Sequence, residues 1–144
     1  MPVIVVGADT RSGRSIIEAL LEPDREVRAF VSDVGVADEL KRLGVKVALG
    51  DVSDPSHVGG ACTRCFSAVL VTEAAFDQRE RSFAQTPNAV LRGWVDAVLE
   101  AQVRRVIWVG EGALPTPGTE AAVVGADVDE LAATVAALDD AAAL

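Results

Sequence analysis

Val3-Ile4-Val5-Val6-Gly7-Ala8-Asp9-Thr10-Arg11-Ser12-Gly13-Arg14 is the stretch on which the fold turns. Its four leading apolar residues read as a strand covered on both faces. They run into a turn with glycines at 7 and 13. Past Gly13, Ile16, Ile17, Leu20 and Leu21 recur at helical spacing. Strand, glycine-bearing turn and helix in that order form the context a phosphate-binding turn requires. Gly7 permits the tight bend, Gly13 lets the helix pack closely on the sheet, and the first N–H groups of the helix can face an anion.

Working outward, the same alternation repeats. Val27–Val31, Val45–Leu49, Ala68–Val71 and Val106–Val109 read as further strands. Between them lie helical patterns. One runs from Val36 to Leu43 and is stopped by Gly44; a shorter one opens at Asp54-Pro55 and is weakened by Gly59-Gly60. The strongest carries Leu91, Trp94, Val95, Val98 and Leu99, entered through Thr86 as N-cap and Pro87 at the first helical position. After a connection with Pro115 and Pro117, a last helix is expected from Asp127, with Glu130 completing a capping box and Val128, Leu131, Ala132, Val135 and Leu138 on one face. Alternating strands and helices predict an α/β fold: a doubly wound parallel β-sheet of about five strands with helices on both faces.

The 144 residues are expected to form one domain, with a core over 1–114 and a Pro-containing connection and acidic, Ala-rich helix over 115–144. Net charge is −9, and residues 120–144 carry six acidic side chains and no basic ones. That balance argues against nucleic acid and anionic membranes as partners, since both recruit Lys and Arg. No uncharged stretch reaches the ~18 residues of a spanning helix, and the N-terminus lacks a basic leader, so a cytoplasmic location is expected. Cys62 and Cys65 form a C-x-x-C at a helix end. With His57 the only other good nitrogen donor, no metal site is expected, and two small buried residues are the favoured reading. His57 itself reads as a surface residue.

Several runs together resemble the NmrA-like, atypical branch of the short-chain dehydrogenase/reductase superfamily, whose fold is Rossmann-like. The turn matches G-A-T-G-x-x-G-R, and Val27-Arg28-Ala29-Phe30-Val31-Ser32-Asp33 is similar to V-R-A-L-V-R-D. Leu43 to Pro55 resembles L-G-V-E-V-V-x-G-D-L-x-D-P, and Ala101 to Val109 resembles A-G-V-x-R-V-V-x-x. The likeness is collinear over about residues 2–114. It implies NAD or NADP bound across the carboxyl ends of the strands. Gly7, Thr10, Arg11, Ser12 and Gly13 would surround the pyrophosphate, and Ser32 and Asp33 would face the adenosine ribose. Asp51 and Val52 would face the adenine, and Thr72, Glu73 and Ala74 the nicotinamide side. Arg often stands in the family where Ser32 does, and Asp33 is shared, so the choice between NAD and NADP stays open.

Departures from the pattern bear on activity. Thr10 replaces the middle glycine, which would place a side chain where backbone should approach the phosphates. Asp9 adds a carboxylate to the same loop, a like charge that Arg11 and Arg14 could offset. Standard members use a Ser after the fifth strand and a Tyr-x-x-x-Lys. This chain has no tyrosine, its only lysines are Lys41 and Lys46, and Gly110-Glu111 stands where the serines would be. No catalytic residue is therefore assigned. Glu73 and Glu111 could pair in the cleft, although solvated loop carboxylates are the favoured reading. Asp77-Gln78-Arg79-Glu80-Arg81 reads first as a solvated loop and second as a lid. Three functions remain: a non-catalytic dinucleotide sensor or regulator, a minimal NAD(P)H-dependent reductase, and an interaction module without nucleotide. The last could be a homodimer formed through an exposed face of the Trp94 helix.

Overall fold

A computed structural model describes all 144 residues. The elements run β1 (Val3–Val6), α1 (Arg11–Leu20), β2 (Val27–Val31), α2 (Val34–Arg42), β3 (Lys46–Leu49), α3 (Pro55–Cys62), β4 (Ser67–Val71), α4 (Glu73–Phe76), α5 (Pro87–Glu100), β5 (Arg105–Val109), β6 (Glu120–Val124) and α6 (Leu131–Asp140). The strands form one all-parallel sheet in the order β3-β2-β1-β4-β5-β6. This is the expected doubly wound α/β sheet. The period of two then sorts the core. Ile4, Val6, Leu70, Val106 and Trp108 point to the face covered by α3 and α5, while Val3, Val5, Val69, Ile107 and Val109 point to the face covered by α1, α2 and α6.

Four expectations need correction. The sheet has six strands, because Glu120-Ala121-Ala122-Val123-Val124 pairs in register with β5 at the sheet edge. Two alanines and an exposed Val123 give this edge strand a weak signal. α6 starts at Leu131, not Asp127; Glu130 takes a left-handed conformation (φ 57°) and makes no side-chain cap. α2 starts two residues early because Asp33 caps it, Oδ1 accepting from the N–H groups of Gly35 and Val36. The face of α5 that carries Trp94 is not exposed. Val90, Leu91, Trp94 and Val98 are buried within the chain.

The acidic C-terminal helix is held by buried arginines. Arg105, 1% exposed, binds Glu120 Oε2 through Nε (2.8 Å) and Nη2 (2.6 Å). Its Nη1 donates to the carbonyls of Leu138, Asp139 and Ala141 at 2.9, 3.1 and 2.7 Å. These carbonyls lie at the C-terminal end of α6, where a helix runs out of backbone donors and favours a cation. Arg25 adds ion pairs to Asp139 (3.2 Å) and Asp140. Replacing the guanidinium in Arg105→Met leaves those acceptors without a donor and should lower unfolding free energy by about 3 kcal/mol. Urea unfolding with far-UV circular dichroism measures this loss.

Candidate dinucleotide site

The strand order reverses between β1 and β4, so the crevice lies outside their carboxyl ends. Gly7, at φ +88°, turns the chain there, and a Cβ on it would come within 2.9 Å of Ala74 Cβ. Gly13 is the tightest point. A Cβ would stand 2.2 Å from the Gly7 carbonyl oxygen and 2.8 Å from Ala8 Cα. Between these glycines Thr10 is buried as the N-cap of α1. Its hydroxyl donates to the Gly7 carbonyl (2.7 Å) and accepts from the Gly13 N–H (2.9 Å). The threonine therefore does not stand between the backbone and a phosphate, because both its hydrogen bonds are made inside the turn. The N–H groups of Arg11 and Ser12 have no acceptor in the chain. Arg11 is exposed and joins no ion pair, whereas Arg14 is engaged by Glu39 (2.7 Å) and Glu18.

Asp9 also lies elsewhere than expected. Its side chain, 4% exposed, leaves the turn and reaches the end of β2. There Oδ2 accepts from the N–H of Ser32 (2.8 Å) and of Asp33 (3.2 Å), and Oδ1 accepts from Arg79 Nη1 (2.8 Å). The carboxylate thus faces β2 and a guanidinium and adds no uncompensated charge to the pyrophosphate end.

The segment 77–83 is exposed at Gln78, Glu80, Ser82 and Phe83, as a solvated loop would be, but it is pinned to the crevice. Arg79 is nearly buried, bonded to Asp9 and to both oxygens of Asp77, and lies 3.5 Å from Ser32 Oγ. Ser82 N–H donates to Asp51 Oδ2 (2.7 Å) and Phe83 N–H to Ser53 Oγ (3.0 Å). The segment is a strap across the ends of β1, β2 and β3. Burial alone would weaken the Arg79 charge, but Asp77 and Asp9 outweigh it and push the guanidinium pKa above its ordinary value. Burial likewise works against the Asp51 carboxylate, yet donors from Ser53 and Ser82 hold its pKa below the ordinary range.

The remaining candidates divide between the crevice rim and the core. Ser32 is half-buried, Asp33 is exposed, and Glu73 is exposed at the start of α4. Val52 and Ala74 are buried, and the Val52 carbonyl already accepts from Trp94 Nε1 (2.7 Å). Thr72 is buried, its hydroxyl donating to the Val109 carbonyl (3.1 Å), which ties the ends of β4 and β5 together. Glu73 and Glu111 are both exposed and share no hydrogen bond. Away from the crevice, Cys62 and Cys65 are buried free thiols, and burial pushes Cys62 up to about 12. Sequence reasoning missed Ser53, Ser82 and Phe83, and the role of Arg79. A charged run marked Arg79, but nothing local pointed to a partner 70 residues away.

A profile described as NAD(P)H-binding matches residues 7–143. The chain belongs to the NAD(P)H-binding family. The family's cofactor is NAD or NADP, and the free amides at the start of α1, with no room for a side chain at 7 or 13, fit a pyrophosphate. Among solved structures, ChuY, an anaerobillin reductase from Escherichia coli O157:H7, superposes with a TM-score of 0.71 at 19% identity, over 99% of this chain and 92% of that one. Triphenylmethane reductase from Citrobacter sp., complexed with NADP(H), gives 0.62 at 22% identity, over 81% of this chain and 41% of that one. The photosystem II assembly factor Ycf39 of Cyanophora paradoxa is 35% identical over 63 residues, 44% of this chain and 20% of that protein. The chain thus spans about two-fifths of the triphenylmethane reductase and a fifth of the assembly factor. No helix is long and apolar enough to cross a membrane.

Two outcomes follow for this member of the family. Gly13→Ala sets a methyl group against backbone that cannot swing away, and should cost about 2 kcal/mol or more in stability and weaken dinucleotide binding, read by thermal melting and titration. The lowered Asp51 pKa adds stability above its unfolded value of 3.8 that is lost as pH falls through the lower, folded value. Asp51→Asn should flatten that acid limb, seen in urea midpoints between about pH 2 and pH 5.

Proposed function

We propose that the chain is a non-catalytic NAD(P)(H)-binding protein, a sensor or regulator of nucleotide state. The observation that carries this reading is the strap. The residues that the family resemblance assigns to adenosine, Ser32, Asp33 and Asp51, are the ones that Asp9, Arg79 and Ser82 engage. In this reading the Arg11 and Ser12 amides hold the pyrophosphate, with Arg11 beside it, and seating the adenosine lifts residues 80–83 from Asp51 and Ser53 while Asp9 keeps Arg79. Occupancy is thereby converted into a change of surface, which a partner could read. When bound, the cofactor would supply a hydride. The Thr72 hydroxyl is turned to the Val109 carbonyl and the chain has no tyrosine, so the accompanying proton has no hydroxyl donor from either.

One observation favours a second reading, a minimal reductase. ChuY is described as a reductase, and this chain covers nearly all of it, so a chain of this length accommodates such an activity. Here the protein would orient the substrate and water would give the proton.

Titration with NADH and NADPH, exciting Trp94 and Trp108 and following nicotinamide emission, should show saturable energy transfer. Trypsin cleavage at Arg81 should accelerate in the bound state as residues 80–83 lift. NADPH should not be steadily consumed with quinone or flavin acceptors; steady consumption selects the reductase. Absence of transfer, with no melting shift at millimolar ligand, contradicts both readings.

A further inference from the structure

The end of β2 is built like an anion site, and the anion is part of the chain. Two backbone N–H groups, of Ser32 and Asp33, and one guanidinium, of Arg79, converge on the carboxylate of Asp9. Fixed amides with an arginine are the donor set that recognises a phosphate group. The carboxylate is 4% exposed and the guanidinium 12% exposed, so the arrangement is closed rather than a chance surface pair. Asp33 supplies a second carboxylate next door, its Oδ1 committed to capping α2.

We propose that Asp9 is the residue that selects the cofactor, excluding the 2′-phosphate of NADP and admitting the 2′-hydroxyl of NAD. The inference rests on the dinucleotide reading above. A ribose 2′-phosphate entering here meets a carboxylate that already holds the donors it needs. Both groups are acceptors and both are negative, so the contact is repulsive and the phosphate must evict Asp9 from three hydrogen bonds. A ribose hydroxyl is neutral and can donate. A carboxylate has about four lone-pair sites, and three of those on Asp9 are used, which leaves one for that hydroxyl. Ser32, where the resembled family often has arginine, adds no positive charge. Arg79 brings one from a distant segment, and Asp77 and Asp9 neutralise it.

The test compares NADH and NADPH on the full chain by fluorescence titration. ADP-ribose and 2′-phospho-ADP-ribose serve as redox-inert competitors and as ligands in thermal melting. The wild type should bind NADH tighter than NADPH by about tenfold or more. Asp9→Asn keeps the shape, frees the Nη1 of Arg79 for a phosphate while Nε and Nη2 stay on Asp77, and should raise NADPH affinity so that the ratio shifts by about tenfold or more toward NADPH. Adding Arg79→Gln to that variant should abolish the gain. Arg79→Gln alone keeps the Asp9 carboxylate, and should leave NADPH no stronger than in the wild type even if the Asp9 variant fails to fold. A wild type that prefers NADPH, an Asp9→Asn ratio equal to the wild type's, or a gain of NADPH affinity in Arg79→Gln alone overturns the proposal. Failure of both dinucleotides and both ADP-ribose probes to bind wild type and variants overturns the dinucleotide reading and this one with it. Binding with an unchanged ratio overturns only this one.

Discussion

The contact between Gly13 and the Gly7 carbonyl sets the geometry of the rest of the crevice. With a would-be Cβ only 2.2 Å from that oxygen, α1 begins against the end of β1 and nowhere else. The hydroxyl of Thr10 is then enclosed between the two glycines, bonding to both. What remains outside the turn is the pair of free amides at Arg11 and Ser12 on one side and Asp9 on the other. A single close approach of backbone to backbone therefore produces both an anion cradle and a carboxylate reaching the next strand.

The charges are arranged on the same plan. In a chain of net charge −9, seven of the thirteen Lys and Arg side chains pair with carboxylates. Arg14, Arg25, Arg28, Arg79 and Arg105 each pair with a carboxylate, and Arg105 and Arg25 together hold the acidic end of α6. Arg11 is the exception at the crevice, exposed and unpaired beside the α1 amides. A positive helix end with one free guanidinium, on an otherwise acidic protein, localises attraction for an anion to that spot.

The sheet was legible because its central strands are apolar runs at even spacing, and Pro87 and Asp54 mark helix starts through local backbone chemistry. β6 was not, since an edge strand of Glu120, two alanines and two valines needs its neighbour to become one. The start of α6 was misread for a related reason: the Asp127–Glu130 spacing matches a capping box, but the structure gives Glu130 a left-handed backbone and no side-chain cap. At the site, the glycines and the free amides follow from the turn itself. Thr10 could have been recognised as an N-cap, the role threonine favours directly before a helix. Asp9 could not, because its meaning lies in the amides of Ser32 and Asp33 and in Arg79, which only the folded chain brings to it.

Amide hydrogen exchange with and without saturating NADH tests the central claim, that a dinucleotide replaces the strap on the adenosine half while the start of α1 holds the pyrophosphate. The account predicts slower exchange at Arg11 and Ser12 together with faster exchange at Ser82 and Phe83, whose N–H groups lose Asp51 and Ser53. Unchanged exchange at all four positions under saturating ligand, or protection confined to another part of the sheet, would contradict it.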